Sequence, residues 1–138
     1  FKYCNDTFGH DIGDLMLKKL SSLFTEIVGD KGYCVRYGGD EFIIVLPGSS
    51  TEFGIKISKQ IYKKIEENGY FINDIANALK RPIEIDAQHR ISCSIGISTS
   101  QKYNQESIME CLKHADSALY DIKKGTKHDF KVWQKVQK

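Results

Sequence analysis

The sequence predicts an α/β sandwich of the ferredoxin-like kind, a sheet covered by helices. Three observations carry this reading. Segments with one apolar stripe at helical spacing alternate along the chain with short β-rich runs. At 138 residues the chain is long enough to bury one core without disulfide or metal staples. No repeat, low-complexity tract or linker divides it, so residues 1–138 read as one domain.

In chain order, "DIGDLMLKKLSSLFTEIV" has apolar residues at Ile12, Leu15, Met16, Leu20, Leu23, Phe24 and Ile27, one stripe of an amphipathic helix. Asp11 and Asp14 suit its N-terminus, and Gly29 and Gly32 punctuate its end. "YCVRY" and "EFIIVLP" flank Gly38 and Gly39 and predict a β-hairpin. Its second strand is almost continuously apolar, as in an interior strand buried on both faces. "TEFGIKISKQIYKKIEENG" is a second amphipathic helix, with Phe53, Ile57, Ile61 and Ile65 on one side. "FINDIANALKRP" predicts a shorter helix stopped by Pro82. "IEID" and "RISCSIGIS" predict a second hairpin. "QESIMECLKHADSALYDIKKG" is a third long helix with Ile108, Leu112, Ala115, Leu119 and Ile122 in register, and "FKVWQ" a last strand.

Composition narrows the function classes. Hydrophobic residues make up 41% and charged residues 28%, as in soluble globular domains. A net charge of +2 lacks the strong basic field of nucleic-acid binders. No apolar run is long enough to span a bilayer, no signal peptide is read, and no direct membrane contact is expected. Cys4, Cys34, Cys93 and Cys111 are far apart, with no C-x-x-C. They read as free thiols, Cys34 and Cys93 buried, which suits a reducing, cytoplasmic compartment.

"RYGGDEF", residues 36–42, carries the chemistry. Glycine at a two-residue turn supplies positive φ, so a tight hairpin with a charged, soluble tip explains much of it. Glycines also let a phosphate approach the backbone, and adjacent carboxylates can hold Mg²⁺ together with a substrate's phosphates. Spacing alone leaves both readings open.

Four separated motifs, in order over nearly the whole chain, resemble one family. "RYGGDEF" resembles the signature of the GGDEF domain of diguanylate cyclases. "FKYCNDTFGHDIGD" is similar to that family's "FK-x-x-ND-x-x-GH-x-x-GD" segment, "SIGIS" to its late strand, and "HADSALYDIK" to its "AD-x-ALY-x-AK" helix. The resemblance implies a nucleotidyl-cyclase and polymerase palm with a mostly antiparallel sheet. It further implies Mg²⁺- or Mn²⁺-dependent condensation of two GTP into cyclic di-GMP and two pyrophosphates, across a homodimer of two half-sites.

By matching positions, Asp40 and Glu41 form the metal-binding, catalytic centre, and Gly38 and Gly39 let the phosphates lie against the hairpin. Asn5 and Asp14 read guanine, whose N1–H and N2–H donors a carboxylate can accept and adenine lacks. Lys2, Lys123 and Lys127 neutralise the triphosphate. Each position also has an ordinary explanation. Asp14 can favour a helix N-terminus, Asn5 can cap a turn, His10 and Arg36 can be structural, and Lys123 can be a solvated charge.

The chain also departs from the family pattern. The strand before "FK", with the aspartate that completes the metal site, is missing from the sequence, so the domain reads as N-terminally truncated. Gly29 and Gly32 occupy the positions of the family's R-x-x-D product-inhibition motif, so product feedback there is not expected. "IKKGTKH" replaces "AK-x-x-GRN" at the end of the last helix, and Lys127 lacks the guanidinium fork of the usual Arg. "ENGYFINDIANAL" is longer than the usual connection. The leading expectation is an active cyclase attached to a sensory or EAL domain. The alternative is a silent GTP-binding domain that regulates an attached module such as an EAL phosphodiesterase. A purely structural α/β interaction domain fits Asn5, Asp14 and the intact hairpin poorly.

Overall fold

A computed structural model of the chain describes residues 1–102, 104–123 and 129–134. The elements are α1 (Lys2–Phe8), α2 (His10–Val28), β1 (Tyr33–Gly38), β2 (Glu41–Val45), α3 (Thr51–Glu67), α4 (Ile72–Leu79), β3 (Ile95–Ile97), α5 (Gln105–Lys123) and β4 (Phe130–Val132). Short 3₁₀ turns lie at Gly29–Lys31, Gly69–Phe71 and Ala87–His89. The result is a mixed helix-and-sheet fold. It falls into two compact units, Phe1–Pro47 with Gln60–Ile91, and Gly48–Lys59 with Ser92–Lys138.

In the first unit, Ile12, Met16, Leu20, Phe24 and Val28 repeat every fourth residue of α2, and all five are buried. Ile12, Met16, Leu20 and Phe24 belong to the stripe the sequence predicts, as does buried Leu23. Its Leu15 and Ile27 are half-buried, and Val28 is an addition. Each buried side chain of this kind contributes about 1.5–3 kcal/mol. The helix ends at Gly29, where φ is 57° and the N–H donates to the Thr25 carbonyl. Phe24 meets Phe42 of β2 edge to face, with ring centroids 5.2 Å apart, which fastens the hairpin to the helix. The helix α1 has no counterpart in the sequence reading. Gly9 divides it from α2 with φ 95° and ψ 161°, a conformation essentially confined to glycine.

Strands β1 and β2 pair antiparallel from Tyr33↔Val45 to Arg36↔Phe42, then shift by a bulge to Gly38↔Glu41. The expectation of an interior second strand is corrected here. Phe42, Ile43 and Ile44 are half-buried and Val45 is 45% exposed. The reason is that β1 and β2 form a two-stranded ladder among the described residues, so neither is flanked on both sides. Helix α4 stops at Lys80, whose φ is 56°, and the Arg81 N–H closes back on the Ala76 carbonyl at 3.2 Å. This Schellman-type closure ends the helix two residues before Pro82.

In the second unit, β3 and β4 pair in parallel, Ile95 with Phe130 and Ile97 with Val132. Among the described residues the predicted second hairpin is therefore absent. Residues 83–86 form no strand, because Asp86 accepts the His89 N–H and turns the chain into a 3₁₀ turn. Gly96 of β3 lies so close to the Ala115 carbonyl and Leu119 N of α5 that a Cβ would collide with both. The predicted α5 stripe is only partly buried. Of its members Ile122 is enclosed, Leu112, Ala115 and Leu119 are half-buried and Ile108 is 52% exposed, while Ala118 beside the stripe is buried. The four cysteines are free. Cys93 is half-buried as a residue but its thiol is enclosed, and burial pushes it up to about 12.

Candidate functional site

The hairpin tip is a two-residue turn, Gly39–Asp40, between the paired residues Gly38 and Glu41. Only Gly39 has positive φ, at 48°. A turn with positive φ at its first central position needs glycine there, and one glycine is enough. Gly38 is different. Its φ is not in the left-handed region, and a Cβ built on it would meet nothing within 4 Å. Neither backbone conformation nor packing calls for glycine at 38. Its bareness leaves the strand end open to close approach from outside. Arg36 reaches back across the turn, its Nε donating to the Gly39 carbonyl at 2.9 Å, which holds the tip in shape.

Asp40 and Glu41 are exposed at this tip, and neither carboxylate has a hydrogen-bond or ion-pair partner among the described residues. They offer oxygen donors only. Among the described residues they are not part of any group of three or more His, Cys, Asp and Glu able to hold a metal. Mg²⁺ is commonly held by one or two protein carboxylates, with phosphate and water completing its shell. The donor set fits that ion, with the open backbone at Gly38 beside it for a phosphate.

The second group of predicted residues sits on α1 and α2. Asn5 lies within α1, and its side chain caps neither helix. Its amide is instead pressed against Gly13, where any Cβ would occupy the position of Asn5 Oδ1. Asp14 is the next residue. It is the fifth of α2, beyond the first turn in which a carboxylate gains from the helix dipole, and Asp11 already serves that turn. The ordinary explanations for Asn5 and Asp14 therefore do not apply. Asn5 is half-buried against Gly13 and Asp14 is exposed, and neither side chain has a hydrogen-bond or ion-pair partner among the described residues. Lys2 is exposed at the start of α1, and His10 is exposed at the start of α2.

Seven predicted site residues (Lys2, Asn5, Asp14, Gly38, Gly39, Asp40 and Glu41) fall in the first unit, and Lys123 and Lys127 in the second. Lys127 and the side chain of Lys123 lie outside the described residues. Sequence reasoning missed the part played by Gly13. The available signal was a glycine inside a helix, which costs about 1 kcal/mol relative to alanine and so calls for a packing reason.

These features find a match among known proteins. A family model described as "Diguanylate cyclase, GGDEF domain" matches residues 1–129. The chain belongs to the GGDEF family. It is 33% identical over 125 residues to a diguanylate cyclase of Vibrio cholerae, covering 91% of this chain and 34% of that protein. It is 32% identical over 134 residues to signaling protein YkoW of Bacillus subtilis, covering 96% of this chain and 15% of that protein. The chain thus spans about a third or less of the curated relatives it matches. Among solved structures it is similar to the active GGEEF domain of a diguanylate cyclase from Vibrio cholerae, with TM-score 0.74 and 28% identity over 98% of this chain and 77% of that one. It is also similar to an EAL/GGDEF domain protein from M. capsulatus, with TM-score 0.65 and 28% identity over 97% of this chain and 78% of that one. Among the described residues no helix is long and apolar enough to cross a membrane.

Proposed function

We propose that this chain is a diguanylate cyclase domain that condenses two GTP into cyclic di-GMP, working as a homodimer with one GTP per copy. The observation that carries the reading is the seating of the Asn5 amide on Gly13, one residue before Asp14, for which the fold supplies no capping reason. Family membership supplies the reaction class. The likeness to an EAL/GGDEF protein and the short span of the relatives support a parent chain with further domains.

In this reading each residue has one task. The Asp14 carboxylate accepts from the N1–H and N2–H of guanine, and the Asn5 amide supplies a further hydrogen bond to the base. Adenine lacks the donor pair, and a hydrogen bond to a charged carboxylate contributes about 1.5–3 kcal/mol. Gly38 and Gly39 let the phosphates reach the backbone at the hairpin tip, and Lys2 neutralises phosphate charge. Asp40 and Glu41 would hold the divalent ion. When bound, that ion lowers the pKa of the attacking hydroxyl and offsets charge at the departing pyrophosphate. Each 3′-hydroxyl attacks the α-phosphate of the GTP held by the other copy. Two phosphodiester bonds form, and two pyrophosphates leave.

The test is a calorimetric titration with GTP and with ATP in the presence of Mg²⁺. The chain should prefer GTP, and Asp14→Asn should narrow that preference. Equal binding of both nucleotides by the unaltered chain would overturn the assignment.

A further inference from the structure

The long connection between α3 and β3 packs onto the two helices that carry Asn5 and Asp14. Tyr70 and Phe71 both sit in the left-handed region, at φ 55° and 60°. That conformation costs non-glycine residues about 1–3 kcal/mol each and persists only where surrounding contacts hold it. Here Phe71 is buried, and the Arg90 guanidinium lies 4.9 Å from the centroid of the Tyr70 ring. Asp74 pairs with Lys19 of α2 at 3.2 Å. At the far end, His89 stacks on Tyr3 of α1, with centroids 4.1 Å apart and planes 18° off parallel. Asp86 Oδ1 accepts from the His89 backbone N–H at 3.1 Å and from Nδ1 at 2.5 Å, which fixes the ring.

We propose that residues 68–90 form a brace that sets the position of α1 for nucleotide binding, with His89 as the positioning residue. The inference rests on the guanine reading of Asn5. Helix α1 is seven residues long, too short to hold its shape or place unaided. Tyr3 and Asn5 are two residues apart, about 200° around the helix, and so project from opposite faces. One face is held by the Asn5–Gly13 contact, and the other by the Tyr3–His89 stack. Releasing the stack lets α1 turn against α2 and moves the Asn5 amide off its mark. His89 touches no nucleotide and acts only through Tyr3.

The test measures GTP and ATP affinity by calorimetry for the chain, His89→Ala and His89→Phe. Losing an aromatic pair should weaken GTP binding about three- to tenfold in His89→Ala, with a smaller loss for ATP. His89→Phe keeps a ring over Tyr3 and should restore GTP affinity to within about twofold. His89 is exposed, so neither substitution removes core packing. Asp86→Ala, also exposed, frees the ring and should fall between the two. GTP affinity unchanged in His89→Ala, or lowered equally in His89→Phe, overturns the brace and leaves the guanine site standing. Failure of the unaltered chain to prefer GTP overturns both.

Discussion

The side-chain amide of Asn5 rests directly on Gly13, in the space a Cβ at position 13 would fill. A helix glycine therefore seats a side chain from the neighbouring helix, one residue before Asp14. Gly13→Ala should displace Asn5 and cost about 1–3 kcal/mol of stability, as overpacking does. Urea unfolding measures the cost. Calorimetry with GTP should show weaker binding in the same variant, beyond what the remaining folded fraction explains.

The two hairpin glycines should respond differently to the same substitution. Gly39→Ala forces an L-residue to φ 48° and should destabilise the chain by about 1–2 kcal/mol. Gly38→Ala meets open space at an ordinary φ, so stability should stay within about 0.5 kcal/mol. GTP binding should nevertheless fall in Gly38→Ala, because the methyl stands where a phosphate would lie. Unfolding midpoints and nucleotide titrations on the pair separate the two effects.

Burial of the Cys93 thiol makes stability depend on alkaline pH. Its pKa is raised to about 12 in the folded chain against 9.0 for an ordinary thiol. Between these values the unfolded chain releases a proton that the folded chain keeps, so the stabilising contribution is complete below 9 and is lost as pH rises toward 12. For one proton the slope is at most about 1.4 kcal/mol per pH unit. Burial also raises Cys4 and Cys34, which act in the same direction. Urea unfolding at pH 8 and at pH 10.5 should show a shallower decline in Cys93→Ala than in the unaltered chain.

Asp14→Asn replaces an acceptor-only group by one that also donates, and should cost GTP about tenfold or more while leaving ATP nearly unchanged. An unchanged GTP-to-ATP ratio would remove Asp14 from the base pocket.

Much of this arrangement is legible in the amino-acid sequence. The run Ile12, Met16, Leu20, Leu23 and Phe24 announces α2 because one helix face alone decides its burial. The hairpin is announced by Gly39 and its flanking strands, since turn chemistry is local. The absent second hairpin was not legible. The partner of β3 is decided by distant contacts, the parallel strand β4 and the close approach of Gly96 to α5. Helix α1 was hidden for a related reason, as seven residues with Cys4 as the one buried side chain carry little periodicity. The acidic pair at the tip could be read directly. The Asn5–Gly13 contact could not, because it joins two elements through a conformation at Gly9 that the sequence does not announce.

The central claim is that the acidic hairpin tip performs GTP condensation. The most direct test incubates the parent protein with GTP and Mg²⁺ and identifies the products by mass spectrometry, beside its Asp40→Ala and Glu41→Ala variants. Both side chains are exposed, so the variants should fold as the unaltered chain does. The account predicts cyclic di-GMP and pyrophosphate from the unaltered parent protein and neither from the two variants. Undiminished cyclic di-GMP from either variant, or none from the unaltered parent protein, would contradict it.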